Sequence, residues 1–560
     1  MSLDKRYKAF LHKKILLILL GLGFSPFTLA AVSSYEVTSR QAYAAGMQFG
    51  EVGAYEQIIG RIYYEIDPNN ARNQVIADLA LAPLNERGMI EMSGDFEILV
   101  PVDPEKGNGV VLLDVPNRGR DRLLNFNQGS AEQPEGDGFL MQQGFTLVWV
   151  GWEFDLDSGI RLQVPVTTDE ARMPIAGLGF AAVRDIGSWI KYFDDALVSS
   201  DTLIAFGLSQ SGRVLRSFLY FGFNTDEAER QVYDGLIPHI AGASIMDMNK
   251  RGADPLDQGQ FNSTIYPFSD EAYTDPISSE REGLLENPRA DHNQPRIFYT
   301  NSSTEYWGGA RAAALVHSSP DGKQDISLAD NVRFYLLAGT QHVPAPLSLD
   351  NNGNGQFPRN PLNYWWHMRA LLTAMKDWIV QDVEPPASAH PNFADDTLVE
   401  LAEVNFPAIP NVQSTEHLHG GVRIPNFLLE SLGGAGAELP YLLPRVNEDG
   451  NEISGVLNPE LVVPLATYTG WNFTNPDKGD QNILVTNTGS YIPFARNREL
   501  REAANDPRLS IAERYADKQD FLNQVSKAVE ESINAGYILA ADKAGVIEQA
   551  GRHWDLLMTP

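Results

Sequence analysis

Gly207-Leu208-Ser209-Gln210-Ser211-Gly212 joins a short uncharged apolar run, Leu203 to Phe206, to a stretch in which Val214, Leu215, Phe218 and Phe221 share one helical face. A strand that becomes a helix within one or two residues strains its apex, so the positions two before and two after must be small. Gly207 and Ser211 meet that demand with Ser209 at the apex; with Ser211 there, Arg213 would stand where a small residue is required. The apex hydroxyl then projects clear of the strands, and the N–H of Gln210, at the helix start, points where an oxyanion would form. The chemistry indicated is nucleophilic attack by a serine.

A serine hydroxyl attacks only when a base takes its proton, and the base needs an acid to hold its tautomer. The elements that must position these groups read as short apolar or β-branched runs. They are Phe96 to Val100, Val110 to Val115, Phe145 to Val150, Leu203 to Phe206, Ile240 to Met246, Ile297 to Thr300 and Arg333 to Leu337. Helix-length segments separate several of them, with an apolar helical stripe within 177–193. This alternation predicts an α/β fold with a mostly parallel sheet, helices on both faces, and ligand sites at the carboxyl ends of the strands.

The residues following each run are therefore the candidates. His342 follows the last run on a glycine-containing turn and is the expected base, whereas His239, His317 and His367 read as structural. Glu305, after the penultimate run, fits the chain order serine, acid, histidine, and is taken ahead of Asp247, which stays as the alternative acid. The loop after Val115 should supply the second oxyanion donor from the backbone of Asn117 or Arg118, beside Gly119. Trp152 and Trp307 are expected to line a substrate pocket, and Arg118, Arg120, Arg122 and Arg213 could form a basic spot suited to a substrate carboxylate.

Residues 1–30 have the form of a signal peptide: Lys5, Arg6, Lys8, Lys13 and Lys14, then an apolar run from Ile15, then Leu29-Ala30-Ala31. Export to a periplasm or medium is expected, with no membrane association after cleavage. Loss of the leader removes five basic residues and one acidic residue and takes the formal net charge from −30 to about −34, which disfavours nucleic acid as a partner. With no cysteine, disulfides and thiolate metal sites are excluded. Asp350 to Gly355 matches half of a calcium loop, but Pro361 occupies the position that needs a bidentate Glu, and His417 and His419 lack an evident third ligand; neither metal nor cofactor is expected. Residues 31–94 read as a β-rich accessory segment, 95–385 as the core with a proline-rich lid insertion at 248–295, and 386–560 as a C-terminal accessory segment with a strand-like run at Leu461 to Tyr468.

PNRGRD, GLSQSGR followed by GFN, YDGLIPHIAGA, SSTEYW, GTQHVP, VPLATYTGWN and PRLSIAERY, in that order, resemble a family of exported bacterial alpha/beta-hydrolase-domain proteins over nearly the whole mature chain. The elbow is also similar to that of glucuronoyl esterases, where G-C-S-R-x-G carries the nucleophile at the position of Ser209 and its last glycine at Gly212. Gln210 replaces the arginine those enzymes use near the oxyanion, so a uronate ester is not implied. The resemblance implies the alpha/beta-hydrolase fold and a serine esterase acting on a small-molecule ester. Acyl transfer to another alcohol and a non-catalytic binding module remain open alternatives, as does the oligomeric state.

Overall fold

The computed structural model describes residues 31–559 except 131, 256–262, 291–292, 309–310 and 424–435; the leader expected at 1–30 lies outside the described residues. Among the described residues, ten strands form one sheet. They are β1 (Val32–Ala42), β2 (Tyr55–Ile66), β3 (Ile90–Pro101), β4 (Val110–Asp114), β5 (Thr146–Val150), β6 (Leu162–Gln163), β7 (Thr202–Leu208) and β8 (Gly235–His239). Three two-residue strands outside that sheet follow, β9 (Ser263–Thr264), β10 (Tyr273–Thr274) and β11 (Arg281–Glu282), and then β12 (Arg296–Ser302) and β13 (Val332–Leu337) complete it. The order is β1-β2-β3-β5-β4-β7-β8-β12-β13, with β6 beside β3. From β5 to β13 every pairing is parallel, and β1, β2 and β3 add an antiparallel wing. The N-terminal region is thus continuous with the main sheet, and β3 crosses the boundary expected near residue 94.

Alternation along β7 shows why both faces must be covered. Leu203 and Ala205 join the core that contains Val214, Leu215 and Phe218, while Ile204, Phe206 and Leu208 join the core that contains Met368, Leu371 and Trp378. The first face carries α2 (Leu178–Tyr192) and α3 (Gln210–Tyr220); the second carries α1 (Phe139–Gln142) and α5 (Trp365–Gln381). The short helix α4 (Thr304–Trp307) follows β12 directly.

Two expected elements are displaced. The strand read at Ile240 to Met246 is β8, five residues earlier, and 240–246 is irregular. Pro238 explains the shift: it donates no N–H, which argues against a central strand, yet it pairs with Gly207 on one side while the register with β12 skips from Leu236 to His239 on the other. The run read as a strand at Leu461 to Tyr468 begins instead with a helical turn, α6 (Pro459–Val462), and only Ala466–Tyr468 is strand. The Asn458 side chain accepts from the Glu460 N–H at 2.9 Å, and Pro459 pre-sets the first helical φ.

The described part of 248–295 is tied to the sheet's upper edge, with Arg216 donating to Phe268 O at 2.5 Å and Tyr299 to Asp270 at 2.7 Å. The C-terminal region packs on both cores: Leu398, Leu443 and Leu465 join the first, while on the second Val456 is buried and Arg369 of α5 meets Asp542 at 2.9 Å. Among the described residues no helix is long and apolar enough to cross a membrane.

Candidate active site

Ser209 stands between β7 and α3 with φ 61° and ψ −110°, a conformation that costs on the order of 1–3 kcal/mol for a residue with a Cβ. The surroundings impose it. The Ser209 N–H donates to His239 O at 2.8 Å, and Ser209 O accepts from the Arg213 N–H at 3.0 Å, the first helical bond. The turn closes only because its neighbours are small: a Cβ at Gly207 would lie 2.5 Å from Ser211 O, and one at Gly212 would lie 2.7 Å from His239 O.

His342 follows β13 and bridges the other two groups. Its Nε2 is 2.8 Å from Ser209 Oγ and its Nδ1 is 2.6 Å from Glu305 Oε1. Nδ1–H donating to the carboxylate leaves Nε2 with a lone pair facing the serine hydroxyl, the tautomer a general base requires. Glu305, in α4, is fully buried, and its other oxygen accepts from the Ser302 N–H at 3.0 Å and hydroxyl at 2.5 Å. The His342 main chain is pinned at both ends: its N–H donates to Thr304 Oγ1 at 3.1 Å, and its carbonyl accepts from Tyr364 OH at 2.8 Å.

Sequence reasoning missed Glu452. This buried carboxylate accepts from Ser303 Oγ at 2.7 Å, Trp307 Nε1 at 2.7 Å and the Gly339 N–H at 2.8 Å, and so clamps the acid's helix to the turn that carries His342. It lies in the C-terminal region, and nothing in its local sequence points at residues over a hundred positions away. Glu452→Ala would strand three buried donors, each at a cost of roughly 1–3 kcal/mol. We expect urea unfolding to show a loss of about 3 kcal/mol or more, with a fall in activity; a loss below about 1 kcal/mol would contradict the clamp.

The oxyanion loop is partly as expected. The Asn117 amide donates to Leu208 O at 2.8 Å, which holds the loop against the elbow. Its backbone N–H, however, turns inward to Arg120 O at 3.2 Å, so Asn117 is corrected from donor to support. Arg118, at φ 55°, and Gln210, at the start of α3, remain the backbone donors to consider, while the Gln210 side chain donates to Pro255 O at 2.8 Å. The Arg118 guanidinium is spent on Glu153 at 2.7 Å and Asp155 at 3.1 Å, which removes it from the expected carboxylate-binding spot.

Three further expectations change. Asp247 follows irregular chain rather than a strand and pairs with Lys250, so Glu305 alone holds His342 Nδ1. Trp152 and Trp307 are buried, and their N–H groups serve Pro116 O at 2.7 Å and Glu452 at 2.7 Å; they brace the oxyanion loop and the acid's helix instead of lining a pocket. Packing accounts for both, because an indole buried with a satisfied N–H is a rigid spacer. His239, His317 and His367 are buried with partners of their own, at Thr300, Tyr306 and Tyr537 O.

Burial pushes the His342 imidazole below its ordinary pKa; Glu305 opposes that shift, and the buried Arg311 and Arg213 reinforce it. The base must be neutral to accept a proton, so a lowered pKa keeps it competent below the usual histidine range. We expect the acidic limb of a kcat/KM profile to fall below pH 6.5. A limb above pH 7 would contradict this reading of the site.

A family model described as an alpha/beta hydrolase domain matches residues 99–548. None of the curated proteins matches the chain. Solved structures similar to it include the rice cell wall degrading esterase LipA from Xanthomonas oryzae, at 12% identity over 55% of this chain and 92% of that one, with a TM-score of 0.27. The glucuronoyl esterase from Solibacter usitatus aligns at 15% identity over 54% of this chain and 80% of that one, with a TM-score of 0.25. Acetyl xylan esterase 1 from Thermoanaerobacterium sp. JW/SL YS485 aligns at 11% identity, with a TM-score of 0.22, over 37% of this chain and 54% of that one. In alignments of this last kind the chain spans about half the length of the structure it matches.

Proposed function

This chain belongs to the alpha/beta hydrolase domain family, and from that premise we propose that it is a serine hydrolase cleaving carboxylic esters through an acyl-enzyme. The observation that carries the reading is the bridging imidazole, 2.8 Å from the strained Ser209 hydroxyl on one side and 2.6 Å from a buried carboxylate on the other. In the first step Ser209 Oγ bonds to the ester carbonyl carbon while its proton passes to His342 Nε2, and the N–H groups of Gln210 and Arg118 receive the oxyanion. Collapse breaks the bond to the alcohol, which leaves with the proton from His342. Water then repeats the sequence on the acyl-enzyme, releasing the acid and freeing Ser209. Glu305 stays ionised throughout and stabilises the imidazolium.

A fluorophosphonate probe with intact-mass analysis tests this directly. One adduct on Ser209, together with hydrolysis of simple esters, supports the proposal; esters cleaved with no adduct, or no cleavage at all, would refute it. The basic and apolar pattern of residues 5–31 further leads us to propose that the enzyme acts outside the cytoplasm.

A further inference from the structure

The loop after β4 makes one tight turn, Asn117-Arg118-Gly119-Arg120, closed by a reciprocal pair of main-chain bonds. The Asn117 N–H donates to Arg120 O and the Arg120 N–H to Asn117 O, both at 3.2 Å. Its two central residues have positive φ, 55° at Arg118 and 68° at Gly119, the pattern of a type I′ turn. Glycine takes that conformation freely, whereas arginine does not favour it. The turn bonds occupy the N–H groups of Asn117 and Arg120 and leave that of Arg118, at the tip, outside them.

Pro116 to Gly119 are each tied down from outside the turn. β5 runs parallel beside β4, with Asp114 opposite Trp149, so the chain leaving β5 passes alongside the loop. Trp152 Nε1 donates to Pro116 O at 2.7 Å, the Asn117 amide donates to Leu208 O at 2.8 Å beside Ser209, and the Ile160 N–H donates to Gly119 O at 3.1 Å. Arg118 is held through its side chain, with Nη1 2.7 Å from Glu153 Oε1 and 3.1 Å from Asp155 Oδ2. These two carboxylates are not equivalent. Glu153 is fully buried, whereas Asp155 is partly exposed and its attraction is screened by solvent. Burial pushes the Glu153 pKa up, and the Arg118 charge is the largest influence bringing it down. A buried carboxylate is costly to keep unless it is paired, and here its partner is the residue that holds the unfavourable φ.

We infer that Glu153 is a positioning residue for the hydrolytic reaction: its grip on the Arg118 guanidinium fixes the tip of the turn, and with it the Arg118 N–H that meets the oxyanion. Without Glu153 the guanidinium follows Asp155 toward solvent and the tip moves with it. A displaced N–H leaves binding of the ester intact but stabilises the transition state less, so the loss falls on kcat. The inference rests on the hydrolase reading above and adds to it a residue that touches no reacting atom.

The test measures hydrolysis of short-chain p-nitrophenyl esters, and inhibition by a trifluoromethyl ketone of the same acyl length, whose carbonyl carbon bonds to Ser209 Oγ and leaves an oxyanion. It uses wild type, Glu153→Ala, Glu153→Gln, Arg118→Met and the double variant Glu153→Ala/Arg118→Met. We expect Glu153→Ala to lower kcat by about 10-fold or more with KM within about 3-fold, and to weaken the ketone by a similar factor to kcat. Glu153→Gln, like the protonated acid, keeps an acceptor for Arg118 and should retain most of the rate. Both single variants break one contact, so the double variant should lose no more than the worse of them, within about 3-fold. A smaller fall in Glu153→Ala, a ketone affinity left unmoved, or losses that multiply in the double variant would overturn the inference. Should Glu153→Ala not fold by circular dichroism, Arg118→Met must show the paired loss in kcat and ketone affinity; either one unmoved would overturn it. Ser209-dependent hydrolysis indifferent to these variants defeats this inference alone, whereas absence of Ser209-dependent hydrolysis in wild type defeats the hydrolase reading and this one with it.

Discussion

Replacing Ser209 with alanine is expected to lower kcat/KM for any ester the protein hydrolyses by about 10⁴- to 10⁶-fold, because no acyl-enzyme can form without the apex oxygen. What remains should be the small rate supported by oxyanion donors and substrate binding. The fold should survive. The bonds that shape the elbow are main-chain bonds, from Ser209 N–H to His239 O and from Arg213 N–H to Ser209 O, and alanine keeps both. The strained φ of 61° is no harder for alanine than for serine. A variant that keeps its thermal midpoint but loses both hydrolysis and fluorophosphonate labelling would match the proposal. Retention of more than about a hundredth of the wild-type rate would remove the serine mechanism.

Glu305→Gln should be almost as damaging, at about 10⁴-fold in kcat, for a different reason. The carboxylate presents an acceptor on each side, one oxygen to His342 Nδ1 and the other to the N–H and hydroxyl of Ser302. Glutamine has one acceptor and one donor. Keeping its oxygen on the two Ser302 donors turns its NH₂ toward Nδ1, which moves the imidazole proton to Nε2, and an Nε2–H cannot take the proton of Ser209. Glu305→Asp, shorter but still ionised, should recover part of the rate. If Glu305→Gln kept a tenth of wild-type kcat with normal stability, the acid would have to be sought elsewhere.

Local constraints explain what was legible in advance. The elbow is specified largely by contacts within six residues: a Cβ at Gly207 would lie 2.5 Å from Ser211 O and one at Gly212 would lie 2.9 Å from Gly207 O, so their smallness shows in the sequence. Apolar runs buried on both faces and an apolar helical stripe likewise carry their meaning locally, which is why β4, β5, β7, β12 and β13 and the helices α2 and α3 stand close to where they were read. Strand ends then brought Glu305 and His342 to notice, because a parallel sheet gathers those ends at one edge.

The structure alone decided whatever depends on where distant chain comes to rest. Whether Glu305 or Asp247 meets His342 was settled by the placement of β8, which Pro238 disguised, and by the turn α4 makes directly after β12. Asn117 changed from donor to brace because a turn bond to Arg120 consumed its N–H, and Trp152 and Trp307 changed from pocket lining to spacers because their surroundings filled with protein. Glu452 gained its importance only through folding, since a buried charge acts over a few ångströms of space whatever its distance along the chain. Sequence thus determined the apex serine and the kind of scaffold that exposes it, through sterics acting over a handful of residues. Tertiary packing decided which carboxylate and which backbone N–H share the site, because hydrogen bonds and desolvated charges answer to proximity.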